Sequence, residues 1–217
     1  MSNRIDLLVL AGPSAGGKTA ASVEILRRDK RFTLIRSATT RAPRGDGHDG
    51  EYIYLSEDEF TCQIAYGGIV EYMEYAGNMY GTLRSELERA NNEGLIPLLI
   101  LDLVGVQSVS QIPDLSPCCV YIYGDIDVIE ARLRERYLKD GYDTKAKSAF
   151  LLRTEQNRRD YSMISDYADK FYAFIRNDSS IEDLAERIIL RFSDYLQGVA
   201  PSSVLNGDVA SRIAKMK

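Results

Sequence analysis

Short runs of continuous apolar residues alternate with stretches of helical period along this chain. Ile5–Leu10, Ile96–Leu101 and Cys119–Tyr123 are apolar almost throughout, the pattern of strands covered on both faces. Phe32–Ile35, Tyr52–Leu55, Ile69–Tyr75 and Phe171–Ile175 read as further strands. Helical patterns run over 18–29, 82–92, 126–138, 146–164 and 181–197, the last opened by Ser179 and Glu182. Ser56 with Glu59 forms a capping box that opens another short helix. Residues 37–50, rich in Gly, Pro and Arg, read as a functional or mobile loop, and Gly77-Asn78 as a turn. The stretch 198–217 turns Pro/Ser/Gly-rich and then basic, and is expected to be loosely held. Strands alternating with helices predict an α/β fold with a mostly parallel sheet.

Bulk chemistry narrows the field. At 217 residues, 45% of them hydrophobic, one domain with a sizeable core is expected. No apolar run is long enough to span a bilayer, and a cleaved signal would discard the motif that begins at Gly12, so no membrane partner is expected and the cytoplasm is. Cys62, Cys118 and Cys119 make no disulfide framework, and the adjacent pair reads as buried thiols on a strand. One histidine, His48, leaves no basis for a zinc site. A net charge of −5 argues against nucleic acid as a partner. Arginines nevertheless cluster at 41 and 44, at 132, 134 and 136, and at 153, 158 and 159. Such clusters suit either a small polyanionic ligand or solvated helix faces.

The segment Gly12, Pro13, Ser14, Ala15, Gly16, Gly17, Lys18, Thr19 matches G-x-x-x-x-G-K-[ST] between an expected strand and an expected helix. Glycines let backbone N–H groups turn inward toward phosphate oxygens, and the helix N-terminus adds partial positive charge. Lys18 is placed to bridge the β- and γ-phosphates of ATP, and Thr19 to ligate Mg²⁺. The motif names the donor and leaves the acceptor open.

A second constellation follows: Ser37-Ala38-Thr39-Thr40-Arg41-Ala42-Pro43-Arg44, Asp49-Gly50-Glu51-Tyr52, Glu71, and Gly77-Asn78-Met79-Tyr80-Gly81-Thr82. Here the chain resembles the guanylate kinase family, over about residues 5–195. The resemblance implies a P-loop NTPase-type parallel core (1–36, 95–125 and 161–197), a mobile nucleoside-monophosphate segment (37–94) and a helical lid (126–160). It implies that Arg41, Arg44, Tyr52 and Tyr80 hold the phosphate of GMP and that Ser37, Glu71 and Thr82 face guanine. Two guanidinium forks suit a phosphate dianion. A carboxylate, which only accepts, suits the adjacent N1–H and 2-amino donors of guanine and repels the N1 acceptor of adenine. On spacing alone Glu71 reads equally as an exposed acid on an edge strand.

The resemblance further places Arg132, Arg136 and Arg153 in the lid over the ATP phosphates, sharing the developing charge with Lys18 and Arg41. A surface salt-bridge network with Glu130 and Glu135 is the alternative. It places Asn177 at the adenine edge, where turn chemistry reads equally well. Three departures stand out. The 44–52 loop is one residue short. Leu101-Asp102-Leu103-Val104-Gly105 carries one acid where the family carries two, so Asp102 serves either GMP or, through water, Mg²⁺. The 136–153 stretch is long. The expected activity is transfer of the γ-phosphoryl group of ATP to GMP with Mg²⁺, in a monomer or homodimer. Two alternatives remain: a modified or deoxy-guanylate as acceptor, and a non-catalytic phosphopeptide-binding module, which the intact Gly17-Lys18-Thr19 disfavours.

Overall fold

The structure, a computed structural model, describes residues 4–43, 52–75, 77–138 and 144–216. A five-stranded parallel sheet lies at its centre. Its strands are β1 (Ile5–Ala11), β2 (Phe32–Leu34), β7 (Ile96–Ile100), β8 (Leu115–Tyr123) and β9 (Ala173–Arg176), in the order β2-β7-β1-β8-β9. Side chains of β1 alternate between two cores. Leu8 and Leu10 meet Ala21 and Ile25 of α1 (Lys18–Arg28) and Leu184, Ile188 and Phe192 of α7 (Ile181–Leu196). Leu7 and Val9 meet the cluster on the other face, which includes Leu87 of α3 (Arg84–Asn92) and Val106 of α4 (Leu103–Ser110). Burial on both faces explains why β1, β7 and β8 read as unbroken apolar runs. Cys118 and Cys119 are free and buried in β8, and burial pushes the Cys119 thiol up to about 12, so neither is a ready thiolate.

Four further strands build a second, mixed sheet in the order β4-β3-β6-β5. Its strands are β3 (Ser37–Thr39), β4 (Tyr52–Tyr54), β5 (Ile69–Tyr75) and β6 (Asn78–Leu83). One face packs Ala38, Ile53, Ile69 and Leu83 on Phe60 of α2 (Glu57–Ala65). Ser56 caps α2, and both halves of the expected box are present. The helices expected to form a lid are α5 (Ile126–Leu138) and α6 (Thr144–Met163), followed by a 3-10 turn over Ile164–Lys170.

Several expectations need correcting. Ser37–Thr39 is a strand, because its backbone pairs on both sides, and Thr82 lies in β6, so α3 begins at Arg84. The cap of α7 is Ser180, whose hydroxyl accepts from the Asp183 N–H. The tail is not loose. Residues Ser203–Ile213 form α8, which packs against the 3-10 turn. Ala210 and Ile213 are fully buried, and the Asn206 amide donates to the Phe171 carbonyl at 2.8 Å and the Tyr172 carbonyl at 3.2 Å. Removing that amide strands two carbonyls. An Asn206→Ala change is therefore expected to lower unfolding free energy by about 1–3 kcal/mol in a urea titration. An unmoved midpoint would show that α8 adds nothing to the fold.

Candidate active site

The C-terminal ends of β1 and β7, neighbours in the central sheet, open on one cleft of about 880 Å³. In open parallel sheets this edge is where ligands bind. The phosphate loop follows β1. A Cβ on Gly12, at φ 142°, would lie 2.1 Å from the Ile122 carbonyl oxygen, so only glycine lets the loop leave the sheet here. Two asparagines brace the loop from outside. The Ser14 N–H donates to Asn157 Oδ1 at 2.7 Å, and Asn157 Nδ2 donates to the Ser14 carbonyl at 3.0 Å. Asn177 Nδ2 donates to the Gly16 carbonyl at 2.9 Å, which commits one of its two amide hydrogens to the loop and away from an adenine edge.

Lys18 Nζ donates to the Gly12 and Pro13 carbonyls at 2.7 and 2.8 Å. Desolvation lowers its pKa to about 8. Asp160 and Asp102 act in the opposite direction, and Arg153 and Arg136 add to the fall. Thr19 is exposed at the start of α1 and lines the cleft. Asp102 also lines it and caps α4, accepting from the Gly105 N–H at 2.7 Å. One of its carboxylate oxygens is thus engaged by the helix.

The cleft-facing side of the second sheet carries a cross-strand row that runs through all four strands. Tyr52 of β4 registers with Ser37 of β3, Ser37 with Thr82 of β6, and Thr82 with Glu71 of β5. Directly paired residues point to the same face. A register shift between Ile69 and Glu71 makes this possible. Without the extra residue, Val70 would stand opposite Thr82; with it, Ile69 turns to the apolar face and Glu71 to the polar one. Gly81 is equally constrained, because a Cβ there would sit 2.7 Å from the Glu71 carbonyl oxygen. Thr82 Oγ1 donates to Glu71 Oε1 at 2.6 Å. Glu71 is buried. Desolvation first, then the Asp102 charge, pushes its carboxyl up to about 7, against the opposing Thr82 hydrogen bond.

A second row on the same face begins Tyr54, Thr39, Tyr80, Met73. Arg41 leaves the end of β3, with its guanidinium carbon 5.0 Å from the Tyr52 ring centroid and Nη2 3.5 Å from the Tyr54 hydroxyl. Its Nε is buried without a hydrogen-bond partner. A buried, unanswered guanidinium N–H beside two tyrosines is the chemistry of an anion site. Tyr80 packs edge-on to Tyr52 at 6.1 Å between ring centroids. Arg44, expected as the second guanidinium, lies outside the described residues. Tyr52 and Met73 line the same cleft as the phosphate loop, so the two sheets share one cavity.

The arginines expected in the lid divide. Arg136 and Arg153 line the cleft. Arg132 is exposed on α5 and is not among the lining residues, although it sits one turn from Arg136. Arg134 packs over Phe150 at 5.2 Å and Arg158 pairs with Glu130 at 2.6 Å, so these two hold α5 and α6 together. Sequence reasoning missed Asp160 and Gln156, which line the cleft, and Asn157, which is buried behind the phosphate loop. Desolvation raises the Asp160 pKa, and Gln156 Nε2 donates to its Oδ1 at 2.7 Å. Their signal was helical spacing, since 153, 157 and 160 fall at i, i+4 and i+7 on one face.

The guanylate kinase family profile matches residues 4–188. A guanylate kinase of Chlorobium luteolum is 33% identical over 192 residues, covering 88% of this chain and 92% of that protein. One of Thermotoga maritima is 33% identical over 184 residues, covering 84% of each. The fold is similar to the crystal structure of guanylate kinase from Anaplasma phagocytophilum, with a TM-score of 0.59 and 21% identity over 88% of this chain and 86% of that one. With a profile match over residues 4–188 and this degree of kinship over most of its length, the chain belongs to the guanylate kinase family.

Proposed function

We propose that this chain moves the γ-phosphoryl group of ATP to GMP, with donor and acceptor held on the two sheets that share the cleft. The observation that carries the division of labour is that shared cavity, lined by Gly12–Thr19 on one side and by Tyr52 and Met73 on the other. ATP binds the phosphate loop. The GMP phosphate binds Arg41, Arg44, Tyr52 and Tyr80, and guanine binds Glu71, Thr82 and Ser37. A phosphate oxygen of GMP is already anionic and needs no side chain as a base. It forms a bond to the γ-phosphorus as the bond to the β,γ-bridging oxygen breaks, giving GDP and ADP. Lys18, Arg41, Arg136, Arg153 and Arg132 share the charge. Arg132 reaches the phosphates only when the lid, 126–160, closes with segment 37–94 and excludes water.

The residues present fit Mg²⁺. Thr19, Asp102 and Asp160 offer hard oxygen donors at the cleft, and among the described residues no group of three or more His, Cys, Asp or Glu forms a cage. A cation that keeps waters and takes phosphate oxygens suits that donor set. When bound, Mg²⁺ supplies charge neutralisation on the β- and γ-phosphates.

The experiment is ADP release with ATP, Mg²⁺ and a panel of GMP, dGMP, AMP and modified guanylates. GMP is expected to be the preferred acceptor. A modified guanylate turning over much faster than GMP would favour the second reading, which rests on the single acid Asp102 and its engagement as a helix cap. The same assay has a pH signature. Glu71 must be ionised to accept from guanine. Its raised pKa favours the empty fold below the ordinary 4.5, a contribution lost as pH rises through about 7, while guanine binding gains over the same window. The KM for GMP is therefore expected to rise about tenfold per pH unit below about 7. Because the GMP phosphate also titrates, Glu71→Gln is the control, and its remaining slope should be much shallower. Identical slopes would remove Glu71 from the base site.

A further inference from the structure

We propose that Asn157 is a positioning residue that ties the phosphate loop to the lid helix, so that loop shape and the placement of Arg153 are set together. The inference rests on the phosphotransfer reading above. Asn157 is fully buried on α6, a polar side chain where an apolar one would cost less. Its two hydrogen bonds use both backbone polar groups of one residue, Ser14, at 2.7 and 3.0 Å, and the donor and acceptor of that backbone fix which way the amide points. One turn on, Tyr161 repeats the device. Its hydroxyl donates to the Gly124 carbonyl at 2.8 Å and accepts from the Gly124 N–H at 3.1 Å. Residues four apart share a helix face, so α6 is fastened by two neighbouring clamps, one where the chain leaves β1 and one where it leaves β8.

The loop needs such a brace. Ala15, next to Ser14, sits at φ 64°, a left-handed conformation that a residue with a Cβ adopts only when its surroundings impose it. Arg153 is one turn before Asn157 on the same face and lines the cleft. The clamp therefore fixes the root of the arginine and the backbone that would receive the triphosphate in a single frame. Lid motion must then take place in α5 and the part of α6 before residue 157, with Arg153 at the border.

The test uses the full chain with Asn157→Ala and the volume-keeping Asn157→Leu. Both strand the Ser14 N–H and carbonyl, and only the first opens a cavity. Both are expected to bind ADP about 10- to 100-fold more weakly. In both, kcat falls while the KM for GMP is held. Hydrogen exchange at the amides of residues 14–19 is expected to be about tenfold faster, a readout that needs no catalysis. A lowered melting temperature with parental ADP affinity, parental kcat and parental loop exchange in the folded variants would reduce Asn157 to core packing and overturn the proposal. Parental behaviour of Asn157→Leu alone would overturn it equally, by assigning the effect to volume. Failure of the parent to bind ADP would strike the phosphotransfer reading instead, and loop exchange would still decide the clamp.

Discussion

A Lys18→Met variant is expected to lose about 10³-fold or more in turnover while its affinity for GMP stays within about twofold of the parent. Lys18 already spends two of its donors on the Gly12 and Pro13 carbonyls. The ammonium is therefore positioned by the loop before any phosphate arrives, and its charge acts without reorganisation. A pKa lowered to about 8 leaves it mostly protonated at neutral pH. Methionine keeps the length of the side chain and deletes the charge, so folding should change little. On the proposed reading GMP binds the other sheet and meets none of these atoms, which is why its binding should survive. The check is single-turnover kinetics beside direct GMP binding. A variant that turns over as the parent does would remove Lys18 from the chemistry. Equal loss of GMP binding would show that the two sites are not separable.

The second large effect is one of selectivity. Glu71→Gln is expected to lower the preference for GMP over AMP by about 10²-fold, chiefly through a higher KM for GMP. In the parent, Thr82 donates to Glu71 Oε1, leaving the rest of the carboxylate for the ligand. In the variant the amide oxygen can keep the Thr82 bond, and the amide nitrogen then turns toward the base. A donor there opposes the guanine N1–H and 2-amino groups and suits the N1 acceptor of adenine. ATP affinity, set on the other sheet, is expected to be unchanged. The measurement is the ratio of kcat/KM for the two acceptors, and an unaltered ratio would contradict the base-reading role of Glu71.

Much of this was legible in sequence where a residue type answers to one backbone demand. Gly12 meets the Ile122 carbonyl at a distance no Cβ tolerates, and Lys18 and Thr19 follow at fixed offsets on a helix start. The row Tyr52, Ser37, Thr82, Glu71 was reachable through resemblance and not through period. Strict alternation over 69–75 puts Ile69 and Glu71 on one face, whereas the register shift at Val70 sends them to opposite faces. Bulges depend on the partner strand, which the local pattern does not contain. Helix α4 went unread because Val-Gly-Val-Gln-Ser-Val-Ser has poor intrinsic helix preference. Burial of Leu103, Val106 and Val109 and the Asp102 cap decide it. Helix α8 was masked by its Pro/Ser/Gly approach, although 206, 210 and 213 hold an i, i+4, i+7 stripe. Resemblance assigned the arginine clusters of 132–153 to a lid without saying which members face inward. Arg136 and Arg153 do so, while Arg134 and Arg158 fasten the helices. Asn157 left only a spacing signal, since its partner lies 143 residues away.

The account turns on phosphoryl transfer between two nucleotides inside a cleft that shuts out water. Anion-exchange chromatography of a quenched reaction of the protein with ATP, GMP and Mg²⁺, with free phosphate assayed beside it, reads this directly, because GDP and ADP elute as separate peaks. GDP and ADP should appear in equal amounts, with free phosphate negligible. ADP accumulating with free phosphate and no GDP would mean that water, and not GMP, receives the group, and would contradict the account.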